Sequence, residues 1–355
     1  MTIKRQGLLR SAALPVLGAA LLMAAPAQAD SGLDEREFNV VGSWSTSNLY
    51  PDYEEPFWTE TLPEASDGRL TATVSAFDEL GLAGGEVYEL VQQGVYDSGA
   101  TVIEYVAGED PRFEGHDLPA IADPAVSREL VDAYRDTLAQ AFDEVYDARL
   151  VGIVPFTSQV VYCNTEISGL QDLEGLQIRG SGPMTMGFIE AVGGSAQAVS
   201  FNEVPIALER GVIDCGITGA LSGYLAGWTE VATHFYPLPT GGWDHIGIVF
   251  SNQTWDGLNE ETQSFLLDEF AALEDLVWGD ATAMTQAGIA CNTGGDCPAG
   301  EAHDLTLVEV TDEDLAYAAE LVQETVLPAW FERCGEECAT QWQNTVGEVY
   351  SAQYD

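Results

Sequence analysis

The chain has 355 residues, is 46% hydrophobic, and sets 58 Asp and Glu against 12 Lys and Arg, a formal net charge of −46. At roughly 150 residues per domain the length suggests two domains, and the apolar content is ample for real cores. So acidic a surface repels nucleic acid and anionic lipid, which excludes both as partners, and any site for an anionic ligand has to be local.

In chain order, residues 1–29 read as an export signal. Lys4, Arg5 and Arg10 form a positive start, an apolar stretch runs from Ala12 to Ala25, and Ala27-Gln28-Ala29 is a small-residue cleavage site. Pro15 and Gly18 interrupt the apolar run, which is shorter than the roughly 20 residues a membrane span needs. No later segment is apolar enough to cross a bilayer, so the expectation is a soluble periplasmic protein cut after Ala29, with no direct membrane insertion. Lys4 is the only lysine, and the signal takes three of the 12 cations, leaving nine arginines. The acids are spread evenly rather than in blocks, which argues against disordered acidic tails. A halophilic or marine source is the natural explanation, because salt screens self-repulsion.

Phe38 to Trp44 reads as a first strand, followed by a helix over Asp52–Ala65. Arg69 to Phe77 alternates like a second strand. A short helix over Gly85–Gly94, a strand over Ala100–Ile103 and a long helix from Asp123-Pro124 to about Ala148 follow. Strand-like runs then come at Leu150–Phe156, Gln159–Cys163, Leu176–Ile178, Ala196–Phe201, Val212–Ile217 and Ile246–Phe250. Helices sit between them at Met184–Val192 and Asn202–Arg210, with Gly211 as a C-cap. One long helix runs from Asn259 to about Ala287, and the chain is mostly helical from Thr311 onward. This alternation predicts an α/β fold of two lobes with helices on the sheet faces. The expected segments are 30–150 for the first lobe, 151–250 for the second and 251–355 for helices packing on both. No flexible linker is visible, so strand-like crossings should join the lobes.

Six cysteines, an even count in an exported chain, suggest disulfides. Cys291–Cys297 brackets a turn-rich loop, Cys334–Cys338 lies near the start of a helix, and Cys163–Cys215 pairs by elimination. The competing zinc-site reading fits a reducing compartment better than an exported chain.

Enzyme signatures are missing: no GxGxxG after a strand, no P-loop, no G-x-S-x-G and no H-E-x-x-H. His116, His234, His245 and His303 are scattered. The informative stretch begins at Asp172-Leu173-Glu174-Gly175-Leu176-Gln177-Ile178-Arg179. Arg179 ends a strand, where ligands bind in open α/β sheets, and can offer a planar fork to a carboxylate. The alternative is pairing with a neighbouring acid. Phe201-Asn202-Glu203-Val204 follows, with Phe201 ending a strand and Asn202 capping the next helix, then Ala207-Leu208-Glu209-Arg210-Gly211-Val212-Ile213-Asp214. Phe201 can cover an apolar part of a ligand or pack the core, and Asp214 most simply closes a turn.

In this order and spacing the segment resembles the signature of the solute-binding proteins of TRAP (tripartite ATP-independent periplasmic) transporters, the dicarboxylate-binding family. Ser66-Asp67-Gly68-Arg69-Leu70, Leu80-Gly81, Val91-Gln92-Gln93-Gly94 and Leu118-Pro119 extend the likeness, as does the long helix from Asn259. The resemblance implies a periplasmic two-lobed receptor that binds a small organic acid and delivers it to the transporter's membrane subunits, with neither turnover nor cofactor. It implies that Arg179 grips the ligand carboxylate and that Phe201 lines the pocket. Thr218 stands where relatives often carry a carboxylate-binding asparagine. Gln159 is the only polar group near the place of a second basic residue, which argues for a monocarboxylate with an apolar or hydroxylated body. Strand-end loops add Trp44, Asn48, Phe77, Glu79, Tyr105, Trp243 and Asp244 as candidates, with no metal ligand among them. An ABC-importer receptor would share the lobes but lack the signature. An exported isomerase or lyase would need a positioned acid–base pair that the sequence does not show.

The acidic surface carries a testable consequence. Apo protein should melt at progressively lower temperature as salt is withdrawn, and a flat melting profile across salt would refute the halophilic reading.

Overall fold

The computed structural model describes residues 32–353. The first strand, β1 (Arg36–Gly42), buries Phe38, Val40 and Val41. It pairs in parallel with β2 (Leu70–Ala76) on one side and β3 (Ser98–Val102) on the other. The helical segment between β1 and β2 has wide turns at Tyr50–Glu54 and Phe57–Thr61, and it contains Pro51, Pro56 and Pro63. Each proline removes a backbone donor from the regular ladder.

The first sheet is completed by β4 (Ala148–Val154) and β10 (Ile246–Ser251), in the order β2-β1-β3-β10-β4. β10 is antiparallel to both neighbours and buried at every position. Its near-continuous apolar run suits a central strand covered on both faces. β10 therefore belongs with the first lobe's strands rather than to the segment 151–250 in which the sequence placed it. The length of the connection from the second sheet hid this return.

The second sheet runs β11-β9-β5-β8-β6-β7. Its strands are β5 (Gln159–Cys163), β6 (Gln177–Arg179), β7 (Ser195–Gln197), β8 (Cys215–Gly219), β9 (His234–Tyr236) and β11 (Thr306–Leu307). β9 and β11 are two or three residues long and have no periodicity to read; β5 supports β9 by pairing. β7 is shorter than expected, and Phe201 opens a tight helical turn, Phe201–Glu203, instead of ending a strand. Asn202 lies inside that turn and caps nothing. Asp214 bridges to β6, its carboxylate accepting the Gln177 N–H at 2.8 Å. All three expected cysteine pairs are bridged, and Cys163–Cys215 joins directly opposed residues of β5 and β8.

The helix Glu260–Asn292 starts at Asn259, whose side chain accepts the Thr262 N–H at 2.8 Å. Midway, Trp278 donates its indole N–H to Ile153 O of β4 at 3.0 Å. At its end, Asn292 donates to the Tyr162 hydroxyl of β5 and to Ala220 O. Gly288 permits this approach, since a Cβ there would lie 2.4 Å from Leu221 N. One rigid element thus holds both sheets. Among the described residues no helix is long and apolar enough to cross a membrane. The export signal lies outside the described residues.

Behind the loop after β1, Glu54 is 2% exposed and accepts the Ser43 N–H at 2.7 Å. Burial pushes its carboxyl up from 4.5 to about 7, against the pull of the Ser43 hydrogen bonds. The folded state therefore holds this proton more tightly than the unfolded chain. Its contribution is fully present below about 4.5 and is lost as pH rises through about 7. In high salt, stability should fall from pH 5 to 8. Glu54→Gln should flatten that fall by roughly 3 kcal/mol, measured by denaturant melts across pH; an unchanged slope would remove Glu54 as its cause.

Candidate binding site

Between the sheets lies a narrow pocket. Trp44, Ser47 and Tyr105 reach it from the loops after β1 and β3. Phe156 and Asp244 come from the two segments where the chain crosses between sheets, and Gln159 opens β5. Arg179, Phe201, Thr218 and Ser222 come from the second sheet and its loops.

Arg179 ends β6, beside Gly216 of β8. It is 3% exposed and is the only buried arginine among the described residues. Its Nε donates to Val199 O at 3.0 Å and its Nη1 to Ile217 O at 2.8 Å, and its guanidinium carbon sits 5.9 Å from the Trp228 ring centroid. A guanidinium has five N–H donors in a rigid fork, so these two carbonyls orient the group without exhausting it. Among the described residues no carboxylate lies in ion-pair range of Arg179, whereas Arg36, Arg69, Arg112, Arg128, Arg135 and Arg333 all have one. An uncompensated buried charge is costly; the geometry suits an incoming anion.

The walls are aromatic. Trp44 meets Tyr105, Phe156 and Phe201 edge to face, with centroids at 5.6, 5.8 and 6.0 Å. Three buried polar atoms on pocket residues besides Asp244 lack any hydrogen-bond partner: Ser47 Oγ, Ser222 Oγ and Gln159 Oε1. Buried polar atoms are nearly always paired, so these are groups that a polar guest in the pocket could meet.

Asp244 sits in the second crossing with a left-handed φ of 48°. Asp117 of the first lobe pins this crossing, its carboxylate accepting the Trp243 N–H at 2.8 Å and the Asp244 N–H at 2.6 Å. Burial pushes the Asp244 carboxyl up to about 6, while the Arg179 charge and the Ser181 hydroxyl pull it down. Deeper, burial holds Asp117 and Glu104 well above the usual carboxylate range, with repulsion from Asp244 adding to it at Asp117 and repulsion from Asp117 adding to it at Glu104. His116 and His245 are held neutral by burial.

Of the residues singled out in the sequence, Trp44, Tyr105, Gln159, Arg179, Phe201, Thr218 and Asp244 converge on this pocket. Phe77 packs behind Trp44 at 4.6 Å and lines the wider mouth. Three others do not line the pocket. Asn48 turns to Met284, its Nδ2 at 2.9 Å from the sulfur, on a separate groove. Glu79 is exposed, its solvation preferred over burial. Trp243 is 1% exposed and spends its indole N–H on Ile121 O, packing the first lobe. Ser47, Phe156 and Ser222 escaped the sequence reading. Phe156 was absorbed into a strand, and Ser222 carries a signal only as one helical turn beyond Thr218.

Gly242 makes the pinned crossing possible. Its φ is 72°, and a Cβ there would fall 2.1 Å from Asp117 Oδ1. Gly242→Ala should cost at least about 2 kcal/mol through strain and displacement and should weaken binding of any pocket ligand. Unchanged melting and affinity would show that the crossing tolerates movement.

The model of the bacterial extracellular solute-binding proteins of family 7, DctP, matches residues 44–326. No curated protein matches the chain. Among solved structures, the Bordetella pertussis extracytoplasmic solute receptor DctP7, which binds pyroglutamic acid, is similar with 23% identity and a TM-score of 0.74, over 89% of this chain and 99% of that one. A TRAP periplasmic solute-binding protein from Desulfovibrio salexigens with bound orotic acid gives 19% and 0.77, over 89% and 99%. One from Rhodoferax ferrireducens with bound malonate gives 14% and 0.75, over 89% and 99%.

Proposed function

The chain belongs to the bacterial extracellular solute-binding proteins of family 7, and we propose that it is the periplasmic receptor of a TRAP transporter for a small organic acid. The single observation that carries this reading is Arg179, a buried guanidinium oriented by two backbone carbonyls and lacking a carboxylate partner. A ligand carboxylate completes it through charge-assisted, bidentate hydrogen bonds. The acids named for the three similar structures all carry a carboxylate, which is consistent with that role.

Binding proceeds by closure. The pocket takes its walls from both lobes and from the crossings, so a guest touching all of them favours the closed arrangement. Trp44 and Phe201 cover the apolar body, Tyr105 and Thr218 add hydroxyls beside Arg179, and exclusion of water strengthens the ionic contact. The closed form then docks on the transporter's membrane subunits, which use an ion gradient rather than ATP. The pocket residues bind and orient; no bond of the ligand is broken.

Thermal shift against a panel of organic acids in high salt should reveal the ligand class. Calorimetry on the best binder should then show Arg179→Ala losing roughly 2–5 kcal/mol of affinity, with Arg179→Lys intermediate because the planar fork is gone. Unchanged affinity in Arg179→Ala would overturn the reading.

A further inference from the structure

The helix Pro183–Ala191 starts four residues after Arg179, and nothing local caps it. Gly182 at the N-cap has no side chain, Pro183 has no N–H, and the first-turn N–H groups of any helix lack partners within it. The group that meets them comes from the other lobe. Glu104, on the tight turn Ile103–Val106 after β3, is 4% exposed, and the Met184 N–H hydrogen-bonds its carboxylate. Its Oε1 has no partner. A Cβ on Gly182 would fall 2.8 Å from both Cβ and Cδ of Glu104 and nearer still to Oε2, so the glycine leaves the room that Glu104 fills. Glu104 lines neither the pocket nor its mouth. Its neighbour Tyr105 does line the pocket, and the Arg179 charge bears on the Tyr105 hydroxyl. Ser181, beside Gly182, hydrogen-bonds Asp244. The contact thus backs the cationic corner of the pocket from both lobes.

Parting the lobes would return the Glu104 carboxyl to water and leave the helix start uncapped. Resting on the receptor reading above, we propose that Glu104 is a positioning residue for ligand capture: docked on the Gly182–Met184 turn, it holds the lobes at the spacing at which Tyr105 and Arg179 meet one guest. Charge state decides the strength of this latch. Burial disfavours the anion most, and Asp117 and Glu114 of its own lobe and Asp244 of the second crossing repel it, while the Met184 N–H favours it. His245, 3.8 Å from Asp117, and its neighbour His116 are held neutral by burial and add no charge. The balance holds the docked carboxyl well above its ordinary 4.5. A docked Glu104 therefore keeps a proton that a solvated one releases. The latch is fully present below about 4.5 and is lost as pH rises through the raised value.

The probe is the tightest binder among pyroglutamate, orotate and malonate, titrated by calorimetry in high salt from about pH 5 to 8. Glu104→Ala and Gly182→Ala should each weaken binding about tenfold, by lowering the share of the closed form. Together they should cost clearly less than the product of the two, because the side chain that the new Cβ strikes is gone. Glu104→Gln keeps the shape without the charge. It should bind more tightly than wild type at the upper end of the pH range, and its affinity should vary less with pH; the slope that remains belongs to Asp117 and Asp244. A role in folding alone would lower the melting temperature of these variants but leave the pH slope of affinity unchanged in Glu104→Gln. Independent losses in the double variant, or equal pH slopes in wild type and Glu104→Gln, overturn this inference, while binding that is lost in Arg179→Ala still upholds the receptor reading. If none of the three acids binds, both fall together.

Discussion

A single guanidinium, buried where no acid pairs with it, is the constraint around which the molecule is arranged. In a chain with 58 acids and net charge −46, pairing a buried arginine with a neighbouring carboxylate would be easy. The fold instead places Arg179 at the end of a three-residue strand and turns it with the carbonyls of Val199 and Ile217. Backbone carbonyls carry only partial charge, so they fix direction without neutralising the cation. That combination of burial, orientation and residual charge is what the proposed carboxylate contact relies on, since an uncompensated buried charge is costly.

The crossings between the sheets are as much a part of the site as the sheets are. Phe156 and Asp244 lie on them, Gln159 stands where the first enters β5, and Asp117 fastens the second crossing to the first lobe through two backbone N–H groups. In the proposed closure, a shift in either crossing would move pocket atoms and so couple closure to occupancy. The long helix limits what can move. It bonds Ile153 of one sheet, Tyr162 of the other and Ala220 beside it, so the proposed closure would bend the helix near its ends or slide along it rather than separate the sheets freely.

The α/β alternation, the long helix and the cysteine pairs were legible because each has a local signature: period, cap or spacing. Arg179 was legible for a related reason, since the carboxyl end of a strand is where such sheets bind. Phe201 lines the pocket from a tight turn after β7, not from the strand end that the sequence suggested. Asn48, Glu79 and Trp243 show where strand-end reasoning fails. Being next to a pocket residue in sequence says nothing about side-chain direction, and Trp243 and Asp244, adjacent in the chain, face a packed core and the pocket respectively. The return of β10 to the first sheet was illegible because the pairing that decides it, with β3 and β4, spans about a hundred residues or more of sequence.

The acidic surface and the cationic pocket answer different ranges of the same force. Between exposed charges, salt limits the interaction to about 10 Å at 0.1 M and about 3 Å at 1 M, whereas a buried pair is screened far less. In concentrated salt the long-range repulsion that would keep an anion away fades, while the buried contact proposed for Arg179 would persist.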